Sequence, residues 1–121
     1  PITVSFTPHL VPMNRGILTS IYVRLANGAS VDDLRQTLAE RYAGEPFVRL
    51  LGEGRAPATR DVRGSNYCLI GVFADRLPGR AILVSAIDNL VKGASGAAVQ
   101  NMNVMHGIDE TTGLEQQPLF P

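Results

Sequence analysis

Five stretches of the chain carry apolar residues in the pattern of a β-strand, and two carry them at helical spacing. Ile2, Val4 and Phe6 alternate with Thr3, Ser5 and Thr7, which predicts a half-buried strand. Pro8 and Pro12 bar regular ladder pairing across His9-Leu10-Val11, so an extended, irregular connector is expected there. Met13-Asn14-Arg15-Gly16 reads as a polar turn. The β-branched, mostly apolar run Ile17 to Leu25 predicts a second strand, closed by Asn27-Gly28. Phe47 to Leu51 is a short third one, followed by a Gly- and Pro-containing loop from Gly52 to Ala58. Tyr67 to Phe73 and Arg80 to Ile87 flank a Pro78-Gly79 turn and predict a hairpin. Strands that follow one another without intervening helices imply a mixed or largely antiparallel sheet.

The first helix is announced by its ends. Ser30 is a good N-cap, Asp32 and Asp33 suit the positive end of the helix dipole, and Gly44 with Pro46 stops the run. Val31, Leu34, Leu38 and Tyr42 give it one apolar face, with Arg35, Glu40 and Arg41 mainly on the wet side, so it should cover one face of the sheet. The second helix is expected over Ala94 to His106. Its stripe is Ala94, Ala98, Met102 and Met105, with Val99 beside it and Gly107 as the C′ residue. Beyond Glu110 no period remains, and a tail extended over the surface is expected from Thr111.

At 121 residues the chain has the size of one domain and can bury a core. Eleven basic and eleven acidic residues cancel, which leaves no broad field to recruit nucleic acid or an anionic membrane. No apolar run approaches the roughly 20 residues that cross a bilayer. One cysteine with two histidines is too few for an ordinary zinc site or an internal disulfide, and a reducing cytoplasm fits. The chain opens at Pro1 inside a strand-like alternation and without Met, which reads as a piece of a longer protein.

The chemistry concentrates at Asp88 to Asn101, where an apolar strand breaks at Asp88-Asn89, crosses Lys92, Gly93 and Gly96, and restarts as an Ala-rich helix. Small residues at a helix start leave the first N–H groups uncovered for anions or polar ligand atoms, and Lys92 adds positive charge. A tight strand-to-helix joint with a solvated lysine accounts for the spacing equally well. Neither a G-x-x-x-x-G-K-[ST] loop nor G-x-G-x-x-G is present. Cys68, the one thiol, sits in an apolar strand and reads as a small core residue. His9, between two prolines, reads as bonded to local backbone more readily than as a base. His106 suits the helix C-terminus. Arg15 and Lys92, each at a glycine-bearing turn, are the cations best placed for an anionic ligand, though either could be solvated. Asn89 can donate and accept toward a carboxamide, or close a local Asx turn.

Taken with Phe6-Thr7-Pro8-His9-Leu10-Val11-Pro12-Met13-Asn14-Arg15-Gly16-Ile17-Leu18 and Gly64-Ser65-Asn66-Tyr67, the segment Asp88 to Asn101 resembles the C-terminal part of the N-acetyl-γ-glutamyl-phosphate reductases. These are relatives of aspartate-semialdehyde dehydrogenase, and the resemblance runs from about Ile2 to Gly113. It implies an α+β domain of the glyceraldehyde-3-phosphate-dehydrogenase-like C-terminal type, with a mixed, largely antiparallel sheet covered by helices. Residues 1–121 would be one substrate-binding and dimerisation domain. Residues 94–121 would pack against an NADP-binding Rossmann domain that this chain lacks. The implied reaction, in arginine biosynthesis, is NADPH-dependent reduction of N-acetyl-γ-glutamyl phosphate to the semialdehyde through a cysteine thioester. The family nucleophile and base lie in Gly-Cys-Tyr-Pro-type and His-Arg-His-type segments absent here, so no residue of this chain is expected to be catalytic. By resemblance Asn89, Lys92, Gly93 and Gly96 face the cofactor, and His9, Arg15, Ser65 and Asn66 border the substrate, in a homo-oligomeric enzyme. The competing expectation is a free-standing interaction domain that dimerises through its sheet and has no enzyme role.

Overall fold

The computed structural model describes residues 3–119. Its elements are β1 (Ile17–Arg24), α1 (Val31–Tyr42), β2 (Val48–Leu50), a short 3-10 turn (Thr59–Asp61), β3 (Cys68–Ala74), β4 (Arg80–Ile87), one π-helical turn (Val91–Ser95) and α2 (Gly96–Met105). The four strands form one sheet in the order β1-β4-β3-β2. β4 runs antiparallel to both neighbours, and β2 alone is parallel to β3. The sheet is therefore mixed and largely antiparallel, as the pattern of strands implied.

The strand expected at residues 2–7 does not form: Thr3 to Thr7 make no ladder, and Val4 and Phe6 are exposed. Ile2 lies outside the described residues. Alternation shows only which side of a strand could be buried, and no neighbour among the described residues receives it. Residues 8–13 are extended and irregular, in keeping with their prolines.

α1 starts where its cap predicts. Ser30 has extended backbone, its Oγ accepts from the Asp33 N–H at 3.1 Å, and the Asp33 carboxylate accepts from the Ser30 N–H at 2.7 Å. Leu34 and Thr37 line one side of an open groove of about 330 Å³ whose other side includes Val23 and Leu83. The β1–β4 register places those two residues on one face, so α1 lies on that face of the sheet. Arg35, expected on the wet side, turns inward instead: Nη2 donates to Val72 O at 2.8 Å and Nη1 to Leu51 O at 3.4 Å, fastening α1 to β3 and the end of β2. Helical spacing could not show this, because a long cationic side chain can reach unpaired carbonyls beside a buried face.

On the opposite face, Phe47, Val62, Tyr67, Ala86 and Leu114 form the buried cluster, with Leu69 and Val99 packed against it. The tail contributes to this core. Leu114 is buried, and the Leu119 N–H donates to Arg63 O at 2.8 Å, so the segment from Thr111 is anchored and not simply extended. α2 is shorter than the Ala94–His106 run, because residues 91–95 take the wider π turn. It ends as expected: Gly107 has φ +67°, and Ile108 N–H donates back to Asn103 O at 2.9 Å. Its buried side is Gly96 and Asn103, whereas Met102 and Met105 of the apolar stripe face outward. No helix among the described residues is long and apolar enough to cross a membrane.

Ser30→Ala should remove one of the two reciprocal cap bonds of α1 and lower stability by about 1 kcal/mol. Urea denaturation checks this: the midpoint should fall with the slope unchanged, and an unmoved midpoint would show that the cap contributes nothing.

Candidate functional site

β4 ends at Ile87, and the next side chain makes four polar contacts, more than any other among the described residues. Asp88 is fully buried. Its Oδ1 accepts from the Leu90 N–H at 2.8 Å and the Val91 N–H at 3.0 Å. Its Oδ2 accepts from the Gly64 N–H at 2.6 Å and lies 2.7 Å from Arg15 Nε. The Arg15 contact is an ion pair outside the geometry of a directed hydrogen bond. Burial pushes the Asp88 carboxyl up, but the amides of Gly64, Leu90 and Val91 together with Arg15 outweigh it and hold the group below its ordinary value. One carboxylate thus joins the turn before β1, the turn before β3 and the start of the final helix.

This alters the expected chemistry of the helix start. The helical run begins ahead of the Ala94 start expected from the sequence: the amides of Leu90 and Val91 are capped by Asp88, the Gly93 N–H donates to Asp88 O at 2.9 Å, and the Ser95 and Gly96 N–H groups are bonded to Leu90 O and Val91 O inside the π turn. A free anion cradle is not built there. The Asx turn considered for Asn89 belongs to Asp88. Asn89 instead spends its Oδ1 on the Gly16 N–H at 2.7 Å, which leaves the amide nitrogen, without a partner among the described residues, as its free function.

Behind this joint lies a polar chain. Lys92 Nζ and Asn66 Nδ2 both donate to Gln100 Oε1, at 3.0 and 3.1 Å, and Gln100 Nε2 donates to Glu110 Oε2 at 2.8 Å. Because an ammonium only donates and a carboxylate only accepts, the Gln100 amide has one sensible orientation, and that fixes Asn66 as well. Asn66 Oδ1 is left buried without a partner, pressed against Gly96. A Cβ at Gly96 would overlap Asn66 Oδ1 and come within 2.8 Å of Val91 Cγ1, so glycine is required by close approach. Lys92 Nζ also lies 5.5 Å from the centre of the Phe47 ring.

Beside Gly96 an open pocket of about 200 Å³ is lined by Gly64, Asn66, Ser95, Gly96, Leu114 and Gln116, among others. That is smaller than the roughly 300–1,000 Å³ of a usual ligand site, so it suits part of a ligand or one wall of a larger cleft. Of the candidate residues singled out in the sequence, Asn66 and Gly96 line this pocket; Arg15 and Asn89 belong to the adjoining Asp88 joint, Lys92 to the Gln100 chain, and Gly93 to the π turn between them. Ser65 does not line it: its Oγ donates to Val62 O and accepts from the Tyr67 N–H, and it is wholly buried, as is Asn66. His9 stays on the exposed N-terminal arm, its Nδ1 3.0 Å from Thr7 O. Cys68 is half-buried, and burial pushes its thiol up, with the charge of Lys92 acting in the opposite direction. No metal-ligating cluster occurs among the described residues. Sequence reasoning missed Asp88, Gln100 and Glu110. The only available signal was an acidic residue placed directly at a strand end before a helix.

The family model described as semialdehyde dehydrogenase, dimerisation domain, matches residues 1–89. The chain is 62% identical over 121 residues to the N-acetyl-γ-glutamyl-phosphate reductase of Rhodospirillum rubrum, covering 100% of this chain and 34% of that protein. It is 63% identical over 121 residues to the enzyme of the same name from Geobacter metallireducens, with 100% and 35% covered. A probable chloroplastic N-acetyl-γ-glutamyl-phosphate reductase of Arabidopsis thaliana is 61% identical over 99% of this chain and 30% of its own length. The chain thus spans about a third of the length of the curated relatives it matches. Among solved structures, aspartate semialdehyde dehydrogenase II of Vibrio cholerae superposes with a TM-score of 0.65 at 23% identity, covering 80% of this chain and 29% of that one, which shows a shared fold.

Asp88→Asn keeps the shape but turns a donor toward Arg15 and Gly64 or toward the amides of Leu90 and Val91. Because the charge left behind, on Arg15, is partly exposed, the cost is that of a buried donor without an acceptor, about 1–3 kcal/mol. The pH dependence has a definite sign. The folded value is depressed, so the contribution is complete above the unfolded value of about 3.9 and fades as pH falls through the lower folded value. Unfolding of both proteins between pH 7 and pH 2 checks this: the gap between them should narrow only in the acid limb, and a constant gap would refute the assignment. Gly96→Ala should also destabilise by about 1–3 kcal/mol through overpacking, and an unchanged thermal midpoint would show that the Asn66 contact yields freely.

Proposed function

Because the chain belongs to the semialdehyde dehydrogenase dimerisation-domain family, we propose that it is the C-terminal substrate-binding and dimerising part of an N-acetyl-γ-glutamyl-phosphate reductase. The observation that carries this reading is its identity, along the whole of its length, to proteins of that name. The parent enzyme reduces N-acetyl-γ-glutamyl phosphate to the semialdehyde for arginine biosynthesis, in the cytoplasm and as a homo-oligomer.

Two features of the site support NADP as the cofactor. Asn89 has an unused amide nitrogen to offer a carboxamide oxygen, and the exposed Gly93 allows close backbone approach beside it. When bound, NADPH supplies the hydride. Lys92 holds the Gln100 chain behind Gly96 and keeps positive charge on that side. Arg15 is held through Nε by Asp88, and its Nη groups have no partner among the described residues. It is the natural anchor for the anionic substrate, with His9 at the margin and Ser65 and Asn66 acting from below. The outward Met102 and Met105, the latter 82% exposed, support packing of residues 94–121 against an NADP-binding Rossmann domain. The nucleophile and base belong to that remaining part.

The test supplies N-acetylglutamate semialdehyde, NADP and phosphate and follows NADPH. The complete parent protein should turn over, its Asn89→Ala variant should show a Michaelis constant for NADP raised by about tenfold, and the 121-residue chain alone should form no NADPH. Turnover by the chain alone that Cys68→Ser abolishes would overturn the reading and move the chemistry to Cys68.

A further inference from the structure

Asn27 and Gly28 form the turn between β1 and the N-cap of α1, away from the joint built on Asp88. The turn is closed by one backbone bond, from the Ala29 N–H to Ala26 O at 2.9 Å. Both residues are exposed, and no hydrogen bond among the described residues engages the Asn27 amide or the Gly28 N–H. Gly28 has φ +82°, and a Cβ built on it would meet nothing within 4 Å.

An asparagine in this setting carries a reaction of its own. The backbone nitrogen of the next residue attacks the side-chain carbonyl carbon. A C–N bond forms, the bond to the side-chain nitrogen breaks, and ammonia leaves with the proton that the backbone nitrogen gives up. The five-membered succinimide then takes up one water at either carbonyl and opens to aspartate or isoaspartate. Nothing is oxidised or reduced, and water is the only co-reactant. Ring closure needs the following residue to swing toward the side chain, which a Cβ hinders and glycine permits.

The rest of the chain sets Asn27 apart. The other asparagines precede Arg15, Tyr67, Leu90, Met102 and Val104, all of which carry a Cβ. Asn66 and Asn103 are buried, and Asn89 Oδ1 is held by the Gly16 N–H. Asn101 lies inside α2, whose ladder occupies the backbone nitrogens. Asn14 precedes Arg15, which the ion pair with Asp88 keeps in place. A surface turn closed by one bond opens at low cost, so the fold does not shield Asn27 from the reaction.

We propose that Asn27 is a modification site, deamidating spontaneously through a succinimide with Gly28. The product places a new carboxylate between Ala26 and Ala29, both of which line the open groove beside α1. Its isoaspartate form also adds one carbon to the backbone between β1 and the Ser30 cap, a lengthening that the closing bond of the turn cannot follow. The reaction draws on nothing in the reductase reading, so each can fail without the other.

The experiment holds the 121-residue chain at body temperature and mildly alkaline pH and maps its peptides by mass over time. Asn27 should gain the mass of an amide-to-acid conversion ahead of every other asparagine, and an isoaspartyl methyltransferase should label the same peptide. Gly28→Ala should slow the conversion by about tenfold. Asn27→Gln, which keeps the glycine and an amide but would need a larger ring, should abolish it on that timescale. An unfolded peptide of residues 24–31 serves as the reactive control. Conversion of that peptide while Asn27 of the folded chain stays intact would overturn the proposal. So would faster conversion at another asparagine, an aspartate product without isoaspartate, or an undiminished rate in Gly28→Ala.

Discussion

The buried carboxylate of Asp88 constrains everything at the functional end of the domain. A charge removed from water costs several kcal/mol, and here three backbone amides and one guanidinium offset it. Each of those partners belongs to a turn that precedes β1, β3 or α2. The start of each element is thereby positioned against the others by one group. Moving any of them would leave a buried charge short of a partner, which is why the joint can be narrow and still definite.

From that joint the features relevant to function follow by short steps. Asn89 stands next to Asp88 and is committed on its oxygen to Gly16, so its nitrogen is what it can offer. The π turn carries Lys92 toward Gln100 and brings Gly96 against Asn66, where no Cβ fits. The pocket beside Gly96 is too small for a dinucleotide and open on one side. On α2, Met102 and Met105 are turned outward.

How much of this could be read beforehand differs from element to element. β1, α1 and the β3–β4 hairpin announce themselves by period and by turn or cap residues, since their partners are near in sequence or their ends are chemically marked. The arm at residues 3–7 shows the same alternation and forms no strand, because a pattern states what could be buried and not whether a neighbour is present. Arg35 and the tail residue Leu114 were misjudged for a related reason: their partners, Val72 and the Phe47–Tyr67 cluster, are distant in sequence. Asp88 looked like a strand breaker. Only the fold reveals that Gly64 and Arg15 arrive at its second oxygen. The candidate site residues came from the family resemblance, and the burial of Ser65 and Asn66 could not be read from it.

Amide hydrogen exchange at Gly64, Leu90 and Val91 tests most directly whether one carboxylate holds the joint. The Gly64 amide lies 26 and 27 residues from those of Leu90 and Val91 in the chain, yet all three donate to the same side chain. The account predicts that they open together, with one common free energy that falls together in Asp88→Asn. Independent opening of Gly64, or protection of Leu90 and Val91 that survives the substitution, would contradict it.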